Sequence, residues 1–553
     1  MVKNSSERVM GRVDNMTRKT YRNYIKSAQT KSARTFDVII IGSGTGGMSA
    51  ASFLAQAGKH VLLLEQHDVL GGFTHTFERS GYIWDIGLHY VGQAHIDGSV
   101  LNKVFRYISK DNLKWAPLDD VYDRVLFDND EYQFPKGRNN LKAKLKEYFP
   151  AEKDRISINR YFSLLNKVQN LGSGYYLEKT LPPFLSNIFG DFLRRSTLKI
   201  SDKTTLEVLS EITDNSKLIG VLTAQYGDYG LEPSKSSFYM HALLANHYME
   251  GAAYPVGGAS KFAECVASII DDSGGVALTQ ADVDEVIVEN NSAIGIRMKD
   301  GESFYAKTII SAAGIANTYS HLLPKDVSKR HGLDKLLDEL EPAIAHVGLY
   351  VGIKESASTL ALKKCNYWIY PQQFDHDKGR ADYQDFNATI PVSFVSFPSA
   401  KDPLAEKTHP GRATAEVIML VPYDWFTKWE GTKWQKRGEE YNALKEKLAH
   451  QMFGQLYRVA PHLKGKIDYY EVSTPLSTRH FSQHKQGEIY GIEHSPQRFR
   501  QKSLRIHTPI KNLLLTGQDV MTASIAGGTM SGLLCASTIL KRNLLWTVNK
   551  KIK

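Results

Sequence analysis

The chain has 553 residues, of which 42% are apolar and 23% charged, enough for two or three globular domains. Because no run of 18 apolar residues occurs and the N-terminus lacks an apolar core, the sequence predicts neither a spanning segment nor a secretory signal. The three cysteines include no CxxC pair and the histidines form no HExxH motif, so we expect a cytoplasmic protein without disulfides or a metal site.

The net charge of +10 is concentrated at the two ends of the chain. Residues 1–35 contribute +7 and residues 541–553 contribute +5, which leaves the body slightly acidic. Basic residues beside apolar ones predict contact with an anionic membrane surface; the alternative is a disordered, solubilising terminus. Nucleic acid is not expected, because no recognition motif accompanies the charge. The apolar residues concerned are Val9, Val13, Met16, Tyr21, Tyr24, Ile25, Leu544, Leu545 and Trp546.

Residues 36–65 predict a dinucleotide-binding unit. An apolar strand ends in a glycine-rich turn, a small-residue helix follows, and a second apolar strand ends at Glu65. Gly42 permits the tight turn, Gly44 lets the backbone approach a pyrophosphate, and Gly47 lets the helix pack closely on the strand. The N-terminus of the helix offers free N–H groups to the phosphates, and Glu65 can accept hydrogen bonds from a ribose.

Further along, residues 181–195 form an apolar segment that is too short to span a bilayer. Phe184, Ile188 and Phe192 would form one apolar stripe of a helix that is followed by two arginines. The segment predicts either a helix packed on a substrate domain or a monotopic contact with lipid at the mouth of a hydrophobic tunnel. With the basic ends, it favours a peripheral or monotopic protein at the inner face of a membrane.

Two more glycine-rich segments extend the pattern. Residues 70–87 contain the Gly71–Gly72 pair, and residues 512–519 form an apolar strand that ends at Gly517 and Asp519. With these motifs the chain resembles the two-glycine-motif flavoprotein superfamily, which includes amine oxidases, phytoene desaturases and carotenoid isomerases. Three inner motifs make it similar to the retinol saturase family and its bacterial members: 89–93, 246–248 and 254–260.

The resemblance implies a bound FAD. It implies that Glu65 binds the adenosine ribose, that Asp519 contacts the ribitol or pyrophosphate, and that the backbone of Val283 meets the adenine. Phe73 stands where the family usually has an arginine, and no Cys or His lies in a motif that would link the flavin covalently. The predicted cofactor-binding residues are Gly42, Gly44, Thr45, Gly46, Gly47, Glu65, Gln66, Gly71, Gly72, Phe73, Thr74, Val283, Gly517, Asp519 and Ile525.

The predicted fold is α/β, with a discontinuous two-glycine-motif Rossmann-type FAD domain and an inserted mixed α+β substrate domain. A basic N-terminal extension and a basic C-terminal tail flank these two domains. The predicted boundaries are 1–35 for the extension, 36–105, 254–319 and 495–540 for the FAD domain, 106–253 and 320–494 for the substrate domain, and 541–553 for the tail.

Catalytic residues are predicted from their distance in sequence to the flavin motifs. A flavin exchanges hydride, so the protein must hold a carbon–carbon bond against it and exclude water. His89 and Tyr90 follow the first flavin segment, and His247 and Tyr248 precede the second, where one of them could protonate the carbon opposite hydride delivery. Alternatively they only line the tunnel, and Asp228 is interpreted as an ordinary acid.

Three functions are compatible with these motifs. The first is an FAD-dependent oxidoreductase that saturates or desaturates a carbon–carbon bond of a retinoid, a carotenoid or an unsaturated fatty-acyl chain. The second is a redox-neutral cis–trans isomerase of polyenes, and the third is a non-catalytic lipid or prenyl escort protein. Because no second GxGxxG motif occurs, the electron partner is open among a quinone, a carrier protein, oxygen and NAD(P)H.

Overall fold

The computed structural model describes residues 19–28, 30, 32–371 and 373–552. A seven-stranded sheet is centred on Thr35–Ile41, which pairs in parallel with Val61–Leu64 on one side and Ser303–Ser311 on the other. Both central strands are apolar and nearly fully buried, as expected for parallel strands covered on both faces. The strands of this first sheet are Thr35–Ile41, Val61–Leu64, Val276–Leu278, Val283–Glu289, Ser292–Met298, Ser303–Ser311 and Leu513–Leu515.

Two helices cross closely beside the first sheet. Thr45–Gln56 follows the glycine turn and packs on Ser524–Leu540 near the other end of the chain. Glycines allow the approach: a Cβ on Gly532 would lie 2.5 Å from the Gly46 carbonyl oxygen. These two helices, which are far apart in sequence, therefore meet where the glycine turn lies.

The second seven-stranded sheet is mainly antiparallel. The strand Val121–Phe127 joins it through a parallel pairing with Asn366–Tyr370 and forms a hairpin with the next strand. The aromatic and helical character of residues 106–253 gave no sign of this hairpin, because Asp123 and Arg124 interrupt its apolar pattern. The strands of this second sheet are Val121–Phe127, Asp130–Pro135, Ala345–Ile353, Asn366–Tyr370, Ser393–Ser396, Ala413–Val421 and Ile467–Ser473.

Two small sheets and a set of helices complete the described fold. The small sheets comprise Thr76–Arg79 with Tyr82–Asp85, and Val91–Gly92 with Trp115–Pro117 and Ala252–Pro255. The longer α-helices are Thr45–Gln56, Val100–Ile108, Arg138–Tyr148, Glu152–Gln169, Pro183–Ser201, Phe238–Tyr248, Lys261–Asp272, Glu439–Val459, Pro475–Ser482, Ser524–Leu540 and Leu544–Lys551. The shorter ones are Tyr21–Ser27, Gly172–Glu178, Thr205–Ser210, Ser216–Leu222, Ile315–Asn317, Lys325–Arg330, Leu333–Asp338, His376–Asp382, Pro398–Lys401, Ala405–Thr408 and Pro496–Arg500.

The described parts of both basic ends pack on the body of the protein. Tyr21 is buried, and its Oη donates to the Asp300 carboxylate at 2.9 Å; Leu544 is buried in the same core. The prediction that Tyr21 and Leu544 face lipid is therefore wrong, since both side chains already have an apolar partner. Trp546 remains 64% exposed. The predicted apolar spacing of Val9, Val13 and Met16 lies outside the described residues.

The helix Pro183–Ser201 presents the predicted apolar stripe to solvent. Phe184, Ile188 and Phe192 are 65%, 68% and 79% exposed, while Arg194 is buried and donates to the Phe499 carbonyl oxygen. Across the part of the chain that the structure describes, no helix combines the length and the apolar character needed to cross a bilayer.

Candidate functional site

A cavity of about 2670 Å³ is lined by residues of both large sheets. Its lining includes every predicted cofactor-binding residue except Gly47. A Cβ on Gly47 would collide with the Gly42 carbonyl oxygen and lie 3.0 Å from the Ala312 Cβ, so this glycine serves the close packing of helix on strand. At Gly44, by contrast, a Cβ would find nothing within 4 Å, which leaves the turn open towards the cavity.

The first turn of the helix Thr45–Gln56 suits an anion. No side chain caps it, so its first backbone N–H groups are available to phosphate oxygens and the helix dipole favours negative charge. Gly42 has a φ of +96°, a conformation that L-residues rarely adopt, and this turns the chain from the strand into the helix. The turn and the helix terminus therefore fit the diphosphate of a dinucleotide.

Glu65 connects the two glycine motifs through Ser43. Its Oε2 accepts hydrogen bonds from the Ser43 backbone N–H at 2.9 Å and the Ser43 Oγ at 2.6 Å, and its Oε1 accepts from the His67 N–H at 3.0 Å. The Ser43 Oγ in turn accepts from the Gly71 N–H at 2.9 Å. Because each carboxylate oxygen can accept two hydrogen bonds, Oε1 retains capacity for a ribose hydroxyl.

The second glycine pair touches the first. A Cβ on Gly72 would lie 3.0 Å from the Gly44 Cα, and both Gly71 and Gly72 have positive φ, so this contact requires glycine. Phe73 and Thr74 follow in the same turn, and the Thr74 Oγ1 donates to the Gly71 carbonyl oxygen at 2.8 Å. The two turns form one continuous wall of the cavity.

Basic side chains from other segments lie near this wall, where Phe73 replaces an arginine. The ring centroids of His67 and His75 are 4.9 Å apart, and the His75 Nδ1 lies 2.5 Å from the Gly72 carbonyl oxygen. Burial lowers the pKa of His480, and the neighbouring charges of Arg437 and His67 lower it further. Burial lowers the pKa of His75 to about 4, so His75 and His480 are neutral near pH 7. All of these side chains line the cavity, and the charge that could balance a diphosphate comes from Arg437.

Asp519 and its loop are held from two directions. Its Oδ2 accepts from the Ile315 N–H at 2.8 Å and its Oδ1 from the Ile492 N–H at 3.0 Å. The buried Arg498, which the sequence did not suggest, donates to the carbonyl oxygens of Gln518 at 2.6 Å and of Asp519 at 3.2 Å. Backbone N–H groups of two other segments thus fix the carboxylate at the cavity wall.

The other predicted cofactor contacts lie along the same cavity. Val283 begins a strand of the first sheet, and the Gln66 Nε2 donates to the Phe481 carbonyl oxygen at 2.7 Å. Gly517 precedes Asp519 with a φ of +113°, and Ile525 lies in the first turn of the helix Ser524–Leu540. The structure therefore brings the separated motifs to one cavity.

The four predicted catalytic residues also line the cavity. Burial lowers the pKa values of His89 and His247 to about 4, so both imidazoles are neutral near pH 7. The His247 Nε2 accepts a hydrogen bond from the Gly92 N–H at 2.9 Å, which occupies this nitrogen. The rings of Tyr90 and Tyr248 stack in parallel, with centroids 4.3 Å apart.

Tyr90 and His89 each contact buried acids. The Tyr90 Oη donates at 2.7 Å towards the Asp228 Oδ2 and lies 3.2 Å from the Asp123 Oδ2. The His89 Nδ1 lies 2.8 Å from the Glu416 Oε2. Burial raises the pKa of Glu416 to about 8, so the Glu416 carboxyl is largely protonated at neutral pH.

Lys401 connects His89 with the hydrogen-bond network of Asp123, to which Asn366 also donates. The sequence did not predict a role for this lysine. Its Nζ donates to the His89 carbonyl oxygen at 3.0 Å, to the Ser396 Oγ at 2.7 Å and to the Asn366 Oδ1. Burial lowers its pKa to about 8, and the neighbouring acids Glu416 and Asp123 oppose that shift when they are ionised. A charged residue within an apolar strand, such as Asp123 or Glu416, is the signal that could have indicated this network.

The exposed apolar stripe is separate from the cavity. None of residues 181–195 lines it, so the prediction that this segment forms the mouth of the tunnel is wrong. The cavity lining near the surface instead includes residues 78–81, 404–405, 408–410 and Arg412.

Comparison with known proteins identifies the family. The sequence profile described as flavin containing amine oxidoreductase matches residues 45–540. The chain belongs to this flavoprotein family. A flavin is therefore the cofactor of this flavin-dependent oxidoreductase, and the glycine wall, the helix terminus and Glu65 are suited to hold it. Membership in an oxidoreductase family argues against the escort interpretation.

The relatives of this oxidoreductase include named enzymes. The chain is 36% identical to an all-trans-retinol 13,14-reductase of Danio rerio, over 92% of this chain and 86% of the relative. It is 31% identical to a protein of the same organism named inactive all-trans-retinol 13,14-reductase, covering 94% and 88%. A prolycopene isomerase of an Oncidium hybrid cultivar is 24% identical, covering 93% and 85%.

Solved structures support the fold of this oxidoreductase. An oxidoreductase from Methanosarcina mazei superposes with a TM-score of 0.61 at 15% identity, over 92% of this chain and 100% of that one. At this identity the likeness concerns the fold alone, a mixed α/β fold shared with flavin oxidases.

Proposed function

We propose that this flavoenzyme binds FAD without a covalent bond and saturates one carbon–carbon double bond of a retinoid-like polyene. The proposal is supported chiefly by the similarity to an all-trans-retinol 13,14-reductase along 92% of the chain. We also propose the predicted division into a discontinuous Rossmann-type FAD domain and an inserted substrate domain. It is supported by the two large sheets, whose strands alternate along the chain.

The cavity beyond the glycine turns suits a flat, apolar chain. Its lining there is largely aromatic and aliphatic, and such rings offer planar contacts to a conjugated polyene. These lining residues are Tyr90, Tyr248, Trp368, Val392, Phe394, Ile418 and Leu420. Most of them are buried, so a bound chain would exclude water from the reacting bond.

The chemistry divides between the cofactor and the chain. Bound reduced flavin supplies a hydride. The chain must place the double bond, keep water out and provide a proton for the second carbon. The electron donor that reduces the flavin is proposed to be a separate molecule, with a quinone, a carrier protein and NAD(P)H as candidates and oxygen as a competing acceptor.

An anaerobic experiment tests the proposed reaction. Reduced holoenzyme mixed with all-trans-retinol should return to the oxidised flavin spectrum and yield one equivalent of a dihydroretinol. Oxidised enzyme mixed with the dihydro product tests the reverse, desaturating direction. A flavin spectrum that responds to neither compound, yet bleaches with a primary amine, would show that the proposal is wrong.

Isomerisation is the second candidate, because the chain resembles a prolycopene isomerase. An isomerase would convert a cis-polyene to its trans form with reduced flavin present but without net reoxidation. Product analysis by chromatography in the same anaerobic mixture separates the two reactions.

We expect the Glu65→Ala variant to lose FAD affinity. Removal of a charged acceptor and of the bonds that hold Ser43 should weaken binding by about 1–3 kcal/mol. Fluorescence titration of the apoprotein with FAD measures this, and Glu289→Ala, at an exposed acid outside the cavity, serves as the control. Flavin that stays with the polypeptide after denaturation would contradict non-covalent binding.

We propose a peripheral contact of this protein with an anionic membrane surface through the stripe formed by Phe184, Ile188, Phe189 and Phe192. All four side chains are more than half exposed, and Arg195 and Lys199 on the same helix are exposed as well. An apolar stripe beside basic residues is attracted to anionic lipid.

We expect the double variant Phe184→Ser/Phe192→Ser to reduce the fraction of protein that floats with anionic liposomes. The change removes the most exposed apolar area of the stripe, and FAD content should stay constant because the stripe does not line the cavity. Ile156→Ser, at an exposed apolar residue of another helix, is the matched control. Unchanged flotation of the double variant would count against membrane contact.

A further inference from the structure

Asp228 differs from Asp123 and Glu416 because it faces the cavity. It ends the short helical turn Tyr226–Asp228, and the surface it retains lies among the cavity-lining residues. Asp123 is fully buried behind it. Of these two acids, Asp228 is therefore the one that a bound substrate can touch.

The Tyr90 hydroxyl lies between Asp123 and Asp228 and can donate a hydrogen bond to only one of them. Its Oη is 2.7 Å from the Asp228 Oδ2 and 3.2 Å from the Asp123 Oδ2, and a phenol carries a single proton to donate. Two ionised carboxylates that share one phenol would repel each other. The arrangement is therefore most stable when one carboxyl is protonated and the other is ionised.

The surrounding donors decide which acid is ionised. Asp123 accepts hydrogen bonds from the Asn366 Nδ2 at 3.0 Å, the Gln225 Nε2 at 2.6 Å and the Trp368 Nε1 at 3.2 Å. Asp228 is contacted by phenols instead, those of Tyr90 and Tyr248. Three amide and indole donors stabilise charge on Asp123, so the shared proton belongs to Asp228.

The pKa values agree with this assignment. Burial raises the pKa of Asp228 to about 8, and the negative charge of Asp123 contributes to the rise. Burial also raises the pKa of Asp123, but the bonds from Asn366 and Gln225 oppose the shift and leave it at about 6. At neutral pH the first acid is mainly protonated and the second mainly ionised.

We propose that Asp228 is the acid that protonates the substrate carbon during saturation of the double bond. This inference rests on the proposed function. The Asp228 O–H bond breaks and a C–H bond forms at one carbon, while the other carbon receives the hydride that reduced flavin supplies. The two electrons of the hydride complete the reduction, and a proton from water restores Asp228 after the product leaves.

The other candidates are less suited to donate this proton. His89 and His247 are neutral near pH 7, because burial holds their pKa values at about 4. The Tyr90 Oη already donates to a carboxyl group, so Tyr90 orients Asp228 and stabilises the carboxylate that remains after transfer.

Two measurements on the holoenzyme test the assignment. In anaerobic single turnovers with all-trans-retinol, Asp228→Asn should slow flavin reoxidation by about 100-fold or more, the scale of general acid catalysis. Retinol affinity, measured by fluorescence quenching, should change little, because asparagine keeps the size of the side chain. Asp338→Asn, at an exposed acid remote from the cavity, should leave both values unchanged.

Infrared spectroscopy provides a second readout that needs no turnover. Oxidised holoenzyme at pH 7 should show the carbonyl stretch of a protonated carboxyl that Asp228→Asn removes and Asp338→Asn retains. Tyr90→Phe should keep this band but shift its frequency, since the carboxyl loses its phenol partner; this variant also serves if Asp228→Asn does not fold.

The outcomes separate the inference from the proposed function. Three results would each overturn the proton-donor role of Asp228. The Asp228→Asn variant could reoxidise flavin at the wild-type rate, or it could lose retinol affinity without a change in rate. The infrared spectrum could also lack a carboxyl band that depends on Asp228. Wild-type enzyme that shows the band but is not reoxidised by retinol would refute the retinoid substrate and support the protonated acid.

Discussion

The Gly532→Ala variant should fold poorly and lose its flavin. The added Cβ would lie 2.5 Å from the Gly46 carbonyl oxygen, 2.6 Å from the Ser49 Cβ and 2.7 Å from the Ala50 backbone nitrogen. Backbone atoms cannot move aside as a flexible side chain can, so we expect a loss of about 3 kcal/mol in unfolding free energy, the upper part of the range for overpacking. Because Gly46 lines the cavity, flavin content should fall as well.

The same substitution at Gly454 is the matched control. Gly454 lies exposed within the helix Glu439–Val459, and a Cβ there would meet nothing within 4 Å. Alanine loses less conformational entropy than glycine when a helix forms, so Gly454→Ala should stabilise by about 0.5–1 kcal/mol. Chemical denaturation of both variants gives the comparison. Equal stabilities would mean that the helix crossing is looser than described.

The Lys401→Met variant should also be strongly destabilised. Its ammonium group is buried, donates to the His89 carbonyl oxygen and balances the charge on Asp123. Methionine fills a similar volume but leaves the His89 carbonyl oxygen, the Ser396 Oγ and the Asn366 Oδ1 without this donor. Each buried polar group left unsatisfied costs about 1–3 kcal/mol. We also expect the pKa of Asp123 to rise, because the lysine charge that lowers it is gone.

Lys407→Met provides the control, since Lys407 is exposed on a neighbouring helix. Such a surface change should alter the free energy of unfolding by about 0.5 kcal/mol or less. If denaturation midpoints of the two variants coincide, Lys401 is neutral in the folded protein and Asp123 carries a proton.

The first strand–turn–helix–strand unit could be predicted from the sequence, because the residues that form it are neighbours in the chain. The strand Thr35–Ile41, the turn after it and the strand Val61–Leu64 follow from apolar runs and glycines within thirty residues. For the same reason the predicted cofactor-binding residues could be assembled from motifs, and all but Gly47 line the cavity.

The buried acid network could not be predicted in this way. Asp123, Lys401 and Glu416 lie on a strand, a short helix and another strand, and only the second sheet brings them together. Asp228 looked ordinary because its neighbour Tyr90 is 138 positions away in sequence. The lipid-facing prediction for Tyr21 and Leu544 was wrong for a related reason, since composition does not reveal which apolar face already has a partner in the core.

The strand Leu513–Leu515 completes the first sheet about two hundred positions after its partner strand, and this has a consequence for biosynthesis. Its partner Ser303–Ser311 and the central strand Thr35–Ile41 are translated long before it. Until it emerges from the ribosome, the end of Ser303–Ser311 from Ile309 onwards lacks its neighbour on that side, and unpaired strand edges invite association with other chains. The cavity wall at Gly517 and Asp519 is also incomplete until then, so cofactor loading must follow translation of the chain through residue 519.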